Sequence, residues 1–72
     1  MAEFTEDAMA EIGLAAGRIW NCLHENGAMS LARLVKELDV SRDLILQGTG
    51  WLSREGKLAF QKTPRGRTIS LR

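Results

Sequence analysis

Seven of the ten lysines and arginines in this 72-residue chain lie after residue 39: Arg42, Arg54, Lys57, Lys62, Arg65, Arg67 and Arg72. Only Asp43 and Glu55 oppose them there, so residues 40–72 carry +5. Residues 1–39, with three basic and seven acidic side chains, carry −4. The formal net charge of +1 therefore conceals a dipole. Its positive end can hold an anion, with Lys57, Lys62, Arg65 and Arg67 able to pair with phosphate groups. Arg42 and Gln47 add the two side-chain types that make paired hydrogen bonds to planar acceptor–acceptor and acceptor–donor edges.

The other reactive groups form no catalytic set. His24 is the single histidine and has no Cys or Asp placed to complete a triad or a zinc site. It reads as a surface histidine favoured by the negative end of a helix dipole. Cys22 stands alone, so it cannot form an internal disulfide; it reads as a small, buried or half-buried hydrophobe suited to a reducing compartment. Gly48-Thr49-Gly50 falls inside a helical pattern and lacks the frame of a phosphate loop. The expectation is a non-enzymatic protein with no cofactor and no metal.

Composition points the same way. At 44% hydrophobic and 26% charged residues the chain is ordinary globular material. Its length suits one domain, 1–72, with an ordered core of about 6–72. The first seven residues are acidic and hold no apolar signal core, and no later run is long enough to span a bilayer. A soluble, cytoplasmic protein with no membrane partner is expected.

The elements that must position the basic residues are legible from period and punctuation. Thr5 can cap a helix over about 6–26, in which Met9, Ile12, Ala16, Ile19 and Leu23 recur at helical spacing, with Ala8, Ala15 and Trp20 alongside. Asn26-Gly27 ends it. Gly13 and Gly17 lie four apart on a face that continues to Trp20 and His24. Each costs about 1 kcal/mol inside a helix, which calls for close approach of another backbone, first within the domain and otherwise from a second subunit. Trp20 and Trp51 are expected to pack inside.

Ala28-Met29-Ser30 suits one bridging strand with Met29 inward. Ser30 then caps a helix from Leu31 to Leu38 whose buried stripe is Leu31, Leu34, Val35 and Leu38. Asp39-Val40 makes a tight turn with Val40 as its apolar plug. Ser41 caps a third helix, which Gly56 ends, with Asp43 in its first turn. Ile45, Thr49 and Leu52 form its inward stripe, with Leu44, Gly48 and Trp51 beside it. Arg42, Leu46, Gln47, Gly50 and Arg54 are left facing out. After Gly56 the period changes to two: Leu58 and Phe60, then Ile69 and Leu71, give a hairpin one greasy face, and Pro64-Arg65-Gly66 makes its cationic turn.

A short helix, a brief turn and a capped longer helix make a helix-turn-helix, here Ser30 to Gly56. With the hairpin added, the chain from about Ala8 to Leu71 resembles the winged helix-turn-helix superfamily. Leu52-Ser53-Arg54-Glu55-Gly56-Lys57-Leu58 is similar to that superfamily's junction into the wing. Ala16-Gly17-Arg18-Ile19-Trp20, together with Gly50-Trp51-Leu52, resembles a largely uncharacterised family of small stand-alone winged-helix proteins of bacteria and archaea. The resemblance implies an α+β fold of three helices, a short strand between the first two, and a C-terminal β-hairpin wing.

It also implies DNA binding, with protein interaction as the alternative. In that arrangement the outer face of helix three would enter the major groove, with Arg42 suited to guanine, Gln47 to adenine, and Leu46 between them. Lys57, Lys62, Arg65 and Arg67 would hold phosphates or a narrow minor groove, and Ser30 and Arg33 could add a backbone contact. Four or five such contacts correspond to a salt slope of about −4. Asp43 opposes phosphate, and the charges could simply solvate the surface. Apolar surface on Leu46 or on the Gly13/Gly17 face would instead suit a homodimer or a protein partner.

Overall fold

The structure, a computed structural model, describes residues 6–72 for the backbone and 9–72 for side chains. Six elements follow in order: α1 (Glu6–Asn26), β1 (Met29–Ser30), α2 (Leu31–Leu38), α3 (Arg42–Arg54), β2 (Leu58–Thr63) and β3 (Gly66–Leu71). The three helices and the short strand fall where the sequence places them. Thr5, read as the cap of α1, lies outside the described residues.

Local chemistry sets the boundaries. The Ser30 hydroxyl accepts the Arg33 N–H at 3.2 Å and the Ser41 hydroxyl accepts the Leu44 N–H at 3.2 Å, so both caps satisfy a donor with no partner inside the helix. α3 closes with Gly56 N–H donating to Ser53 O and Lys57 N–H to Leu52 O, both at 3.0 Å, around Gly56 at φ +72°. That pair of bonds is a Schellman ending, which glycine adopts without a Cβ penalty. Asp39, at φ 49°, takes the left-handed position after α2, a conformation that aspartate tolerates better than most residues.

The sheet order is β1-β3-β2, antiparallel throughout. Met29 pairs with Ile69 and Ser30 with Thr68, while Leu58 pairs with Leu71 and Thr63 with Gly66 across the Pro64-Arg65 turn. Ile19, Leu34 and Ile45, one from each helix, are fully enclosed and form the centre of the core. Met29, Leu58 and Ile69 close it from the sheet side. The Cys22 thiol is buried 3.9 Å from the Met29 sulfur, so it serves as packing between α1 and β1.

The inward stripe of α3 stands as read: Ile45, Thr49 and Leu52 are buried, and so is Gly48. Four expectations need correction, the first two for one reason. The close helix–helix contact runs through Gly48, where an added Cβ would lie 2.9 Å from Ile19 Cδ1 and 3.0 Å from Ala16 N. Gly13 and Gly17 meet nothing within 4 Å and are exposed, so they do not receive another backbone of this domain. Because Ala15, Ala16 and Gly48 let α1 and α3 meet closely, bulky neighbours are left on the rim of the contact. Trp20 is 37% and Trp51 43% exposed rather than packed inside. Met9 is also exposed, since the enclosed face of α1 among the described residues starts at Ile12. Phe60, expected on the greasy face of the hairpin, is 50% exposed; β2 is an edge strand, and only its first residue, Leu58, reaches the core.

Candidate nucleic-acid interface

α3 owes its outward face to the way it docks. With Ile45, Gly48, Thr49 and Leu52 turned into the protein, helical period leaves Arg42, Leu46, Gln47, Gly50 and Arg54 exposed, and all five are. Leu46 is 45% exposed, an apolar side chain among polar ones. Gly50 has open space where a side chain would stand, so a partner can approach the helix backbone there. Arg54, on the same outward face, lies seven residues and two turns beyond Gln47. With Gln47, Gly50, Met9, Ile12 and Trp51 it lines a groove of about 450 Å³. Its signal was its register with Gln47.

The hairpin concentrates charge. Lys62 and Arg67 face each other directly across β2 and β3, and Arg65 sits in the two-residue turn between the strands. All three are exposed, and residues 58–72 contain no acidic side chain to offset them. Like charges directly opposite each other destabilise a hairpin. The Thr63 hydroxyl, donating to Gly66 O at 3.1 Å, ties the turn from the other side.

The remaining candidates are set apart by their partners. Arg33 lies 3.6 Å from Glu37 and Lys57 3.7 Å from Glu55, so each has a carboxylate at hand in a solvent-screened ion pair. Arg42, Arg54, Lys62, Arg65 and Arg67 belong to no ion pair among the described residues. Ser30 is half-buried in β1, with its hydroxyl committed to the cap of α2. These five candidate cations thus fall into two groups, one on α3 and one on the hairpin. His24 lies outside both and stacks on Trp20, with ring centroids 4.9 Å apart.

Among the described residues no group of three His, Cys, Asp or Glu is placed to hold a metal ion, and no helix is long and apolar enough to cross a membrane.

Comparison with known proteins agrees with this architecture. No curated protein matches the chain. Among solved structures, the chain is similar to the solution NMR structure of protein BT2368 from Bacteroides thetaiotaomicron. The two are 26% identical with a TM-score of 0.77, over 86% of this chain and 76% of that one. A family profile described as "Winged helix-turn-helix domain (DUF2582)" matches residues 6–71. The three helices, the three-stranded antiparallel sheet and this match over nearly all of its length agree: the chain belongs to the winged helix-turn-helix domain family DUF2582.

Proposed function

We propose that the chain is a non-enzymatic, transcription-regulator-like DNA-binding domain of modest affinity. α3 lies in the major groove and the β2–β3 wing on the phosphate backbone. The observation that carries this reading is the pairing of an exposed Arg42/Gln47/Arg54 face with an acid-free hairpin tip holding Lys62, Arg65 and Arg67. Asp43, in the first turn of α3, turns phosphate away from that end of the helix. Backbone contacts therefore fall mainly to the wing, while Arg42 and Gln47 read base edges. The setting is cytoplasmic, where Cys22 remains a buried thiol.

The test is fluorescence anisotropy with a random-sequence duplex across a salt series. Binding is expected in the range of about 1–100 μM at low salt, with a slope of log affinity against log salt near −4. No binding at about 100 μM in low salt, the weak end of non-specific affinity, overturns the proposal.

One observation favours a second reading. Leu46 and the Met9–Gly50–Trp51 groove offer apolar surface on the same face of α3, which suits a protein partner. Failure of the DNA titration, with Leu46→Ala abolishing binding to a partner protein, would establish that reading instead.

A further inference from the structure

β2 is an open edge of the sheet: β3 pairs with it on one side, and no described element pairs with it on the other. Its hydrogen-bond register follows from the hairpin. The Arg72 N–H donates to Lys57 O at 3.0 Å, and Thr63 faces Gly66 across the two-residue turn. Pairs in an antiparallel ladder alternate between those that exchange backbone bonds and those that do not. Ala59, Gln61 and Thr63 therefore turn their N–H and C=O groups toward β3, while Phe60 and Lys62 turn theirs outward. Both of these residues are exposed, so two donors and two acceptors stand open along the edge.

We propose that an extended acidic peptide adds to this edge as a fourth strand, antiparallel to β2. It carries a carboxylate opposite Lys62 and, two residues later, an apolar side chain opposite Phe60. Outward N–H and C=O groups recurring every second residue are matched by the backbone of another strand. Side chains directly opposite each other share a face of the sheet, and pairs of an aromatic with a β-branched residue, or of opposite charges, stabilise it.

The side chains on the edge select this occupant. Phe60 and Lys62 lie on one face of the sheet, beside Ile69 and Arg67 of β3. Phe60 is 50% exposed, an aromatic ring that the helices leave uncovered and an apolar neighbour would cover. Lys62 and Arg67 belong to no ion pair among the described residues, and residues 58–72 contain no acid, so a carboxylate here meets cations alone. A second copy of β2 fits less well: it carries no acid along its length and would leave Lys62 unanswered. The inference goes beyond the DNA reading and does not rest on it, because it uses the backbone of β2 rather than the outward face of α3.

The experiment titrates the full chain into a labelled, end-blocked peptide, Asp-Glu-Thr-Val-Thr-Val-Thr, followed by anisotropy and by amide hydrogen exchange on the complex. Binding is expected with a Kd below about 1 mM. Exchange at the Phe60 and Lys62 amides should slow by about tenfold or more near saturation, while Gln61, already paired with β3, should not change. The same peptide N-methylated at its first valine keeps its charge, loses a ladder donor, and should bind about tenfold more weakly. Phe60→Ala should weaken the peptide by about fivefold and leave duplex titration unchanged, with circular dichroism reporting an intact fold because the ring is exposed. Lys62→Glu should reverse the preference, favouring a peptide with lysine in place of both acids. Equal binding of the N-methylated peptide, or unchanged exchange at Phe60 and Lys62, would show attraction by charge alone and overturn the proposal. No binding at about 1 mM overturns it as well. Peptide binding without duplex binding supports this inference alone, and duplex binding without peptide binding leaves only the DNA reading.

Discussion

A side chain on Gly48 would place its Cβ 3.0 Å from the backbone nitrogen of Ala16, so α3 rests directly on the main chain of α1. Main-chain atoms inside a helix cannot yield as the end of a flexible side chain can. Overpacking of this kind costs about 1–3 kcal/mol, more than the roughly 1 kcal/mol alanine gains over glycine in helix propensity. Gly48→Ala should therefore lower the melting temperature, by about 4–8 °C for each kcal/mol of net loss in a domain this small. Gly13→Ala and Gly17→Ala, measured at low concentration, should raise it, because nothing opposes the propensity gain of about 1 kcal/mol. Thermal denaturation of the three variants checks the opposite signs.

Thr49 offers a second stability test. Its hydroxyl is buried with no hydrogen-bond partner among the described residues. Thr49→Val keeps the shape and the β-branching and removes a desolvated polar group that costs about 1–3 kcal/mol when unsatisfied. Chemical denaturation should find the valine variant more stable. A loss of stability would show that the hydroxyl has a partner.

On the wing, stability and binding should move in opposite directions. Lys62→Glu replaces a like-charged cross-strand pair with an attractive one facing Arg67. The hairpin should gain about 0.2–1 kcal/mol, while DNA affinity falls and the salt slope flattens. Thermal melts and anisotropy on the same variant check both directions; a variant weaker in both respects would refute the argument from cross-strand charge.

The cations should also rank by their partners. Arg65→Ala combined with Arg67→Ala removes two phosphate ligands and should reduce the salt slope by about 2, equally for all sequences. Arg33→Ala and Lys57→Ala, whose side chains already face Glu37 and Glu55, should change affinity less. Arg42→Ala and Gln47→Ala should instead alter preference between duplexes, read out by competition with defined sequences.

Much of this molecule was determined by signals that act over a few residues. Ser30 and Ser41 cap the helices they precede, Gly27 and Gly56 end α1 and α3 with positive φ, and the change from period 3.6 to period 2 after Gly56 places the wing. Such signals can be read from the chain because each is satisfied by its own neighbours, through a hydroxyl three residues from an N–H or a glycine just past a last turn. The outward set of α3 was legible too, since Arg42, Leu46, Gln47, Gly50 and Arg54 are what remains once its apolar stripe is assigned. Helical period says which residues share a side of one helix. It does not say how closely two helices meet or at which residue they touch. Only the tertiary packing chose Gly48 over Gly13 and Gly17 as the point of contact, and that choice left Trp20 and Trp51 on the rim and Met9 outside the core. It left Phe60 uncovered in the same way, because the reach of the helices over an edge strand depends on the order in which the strands pair.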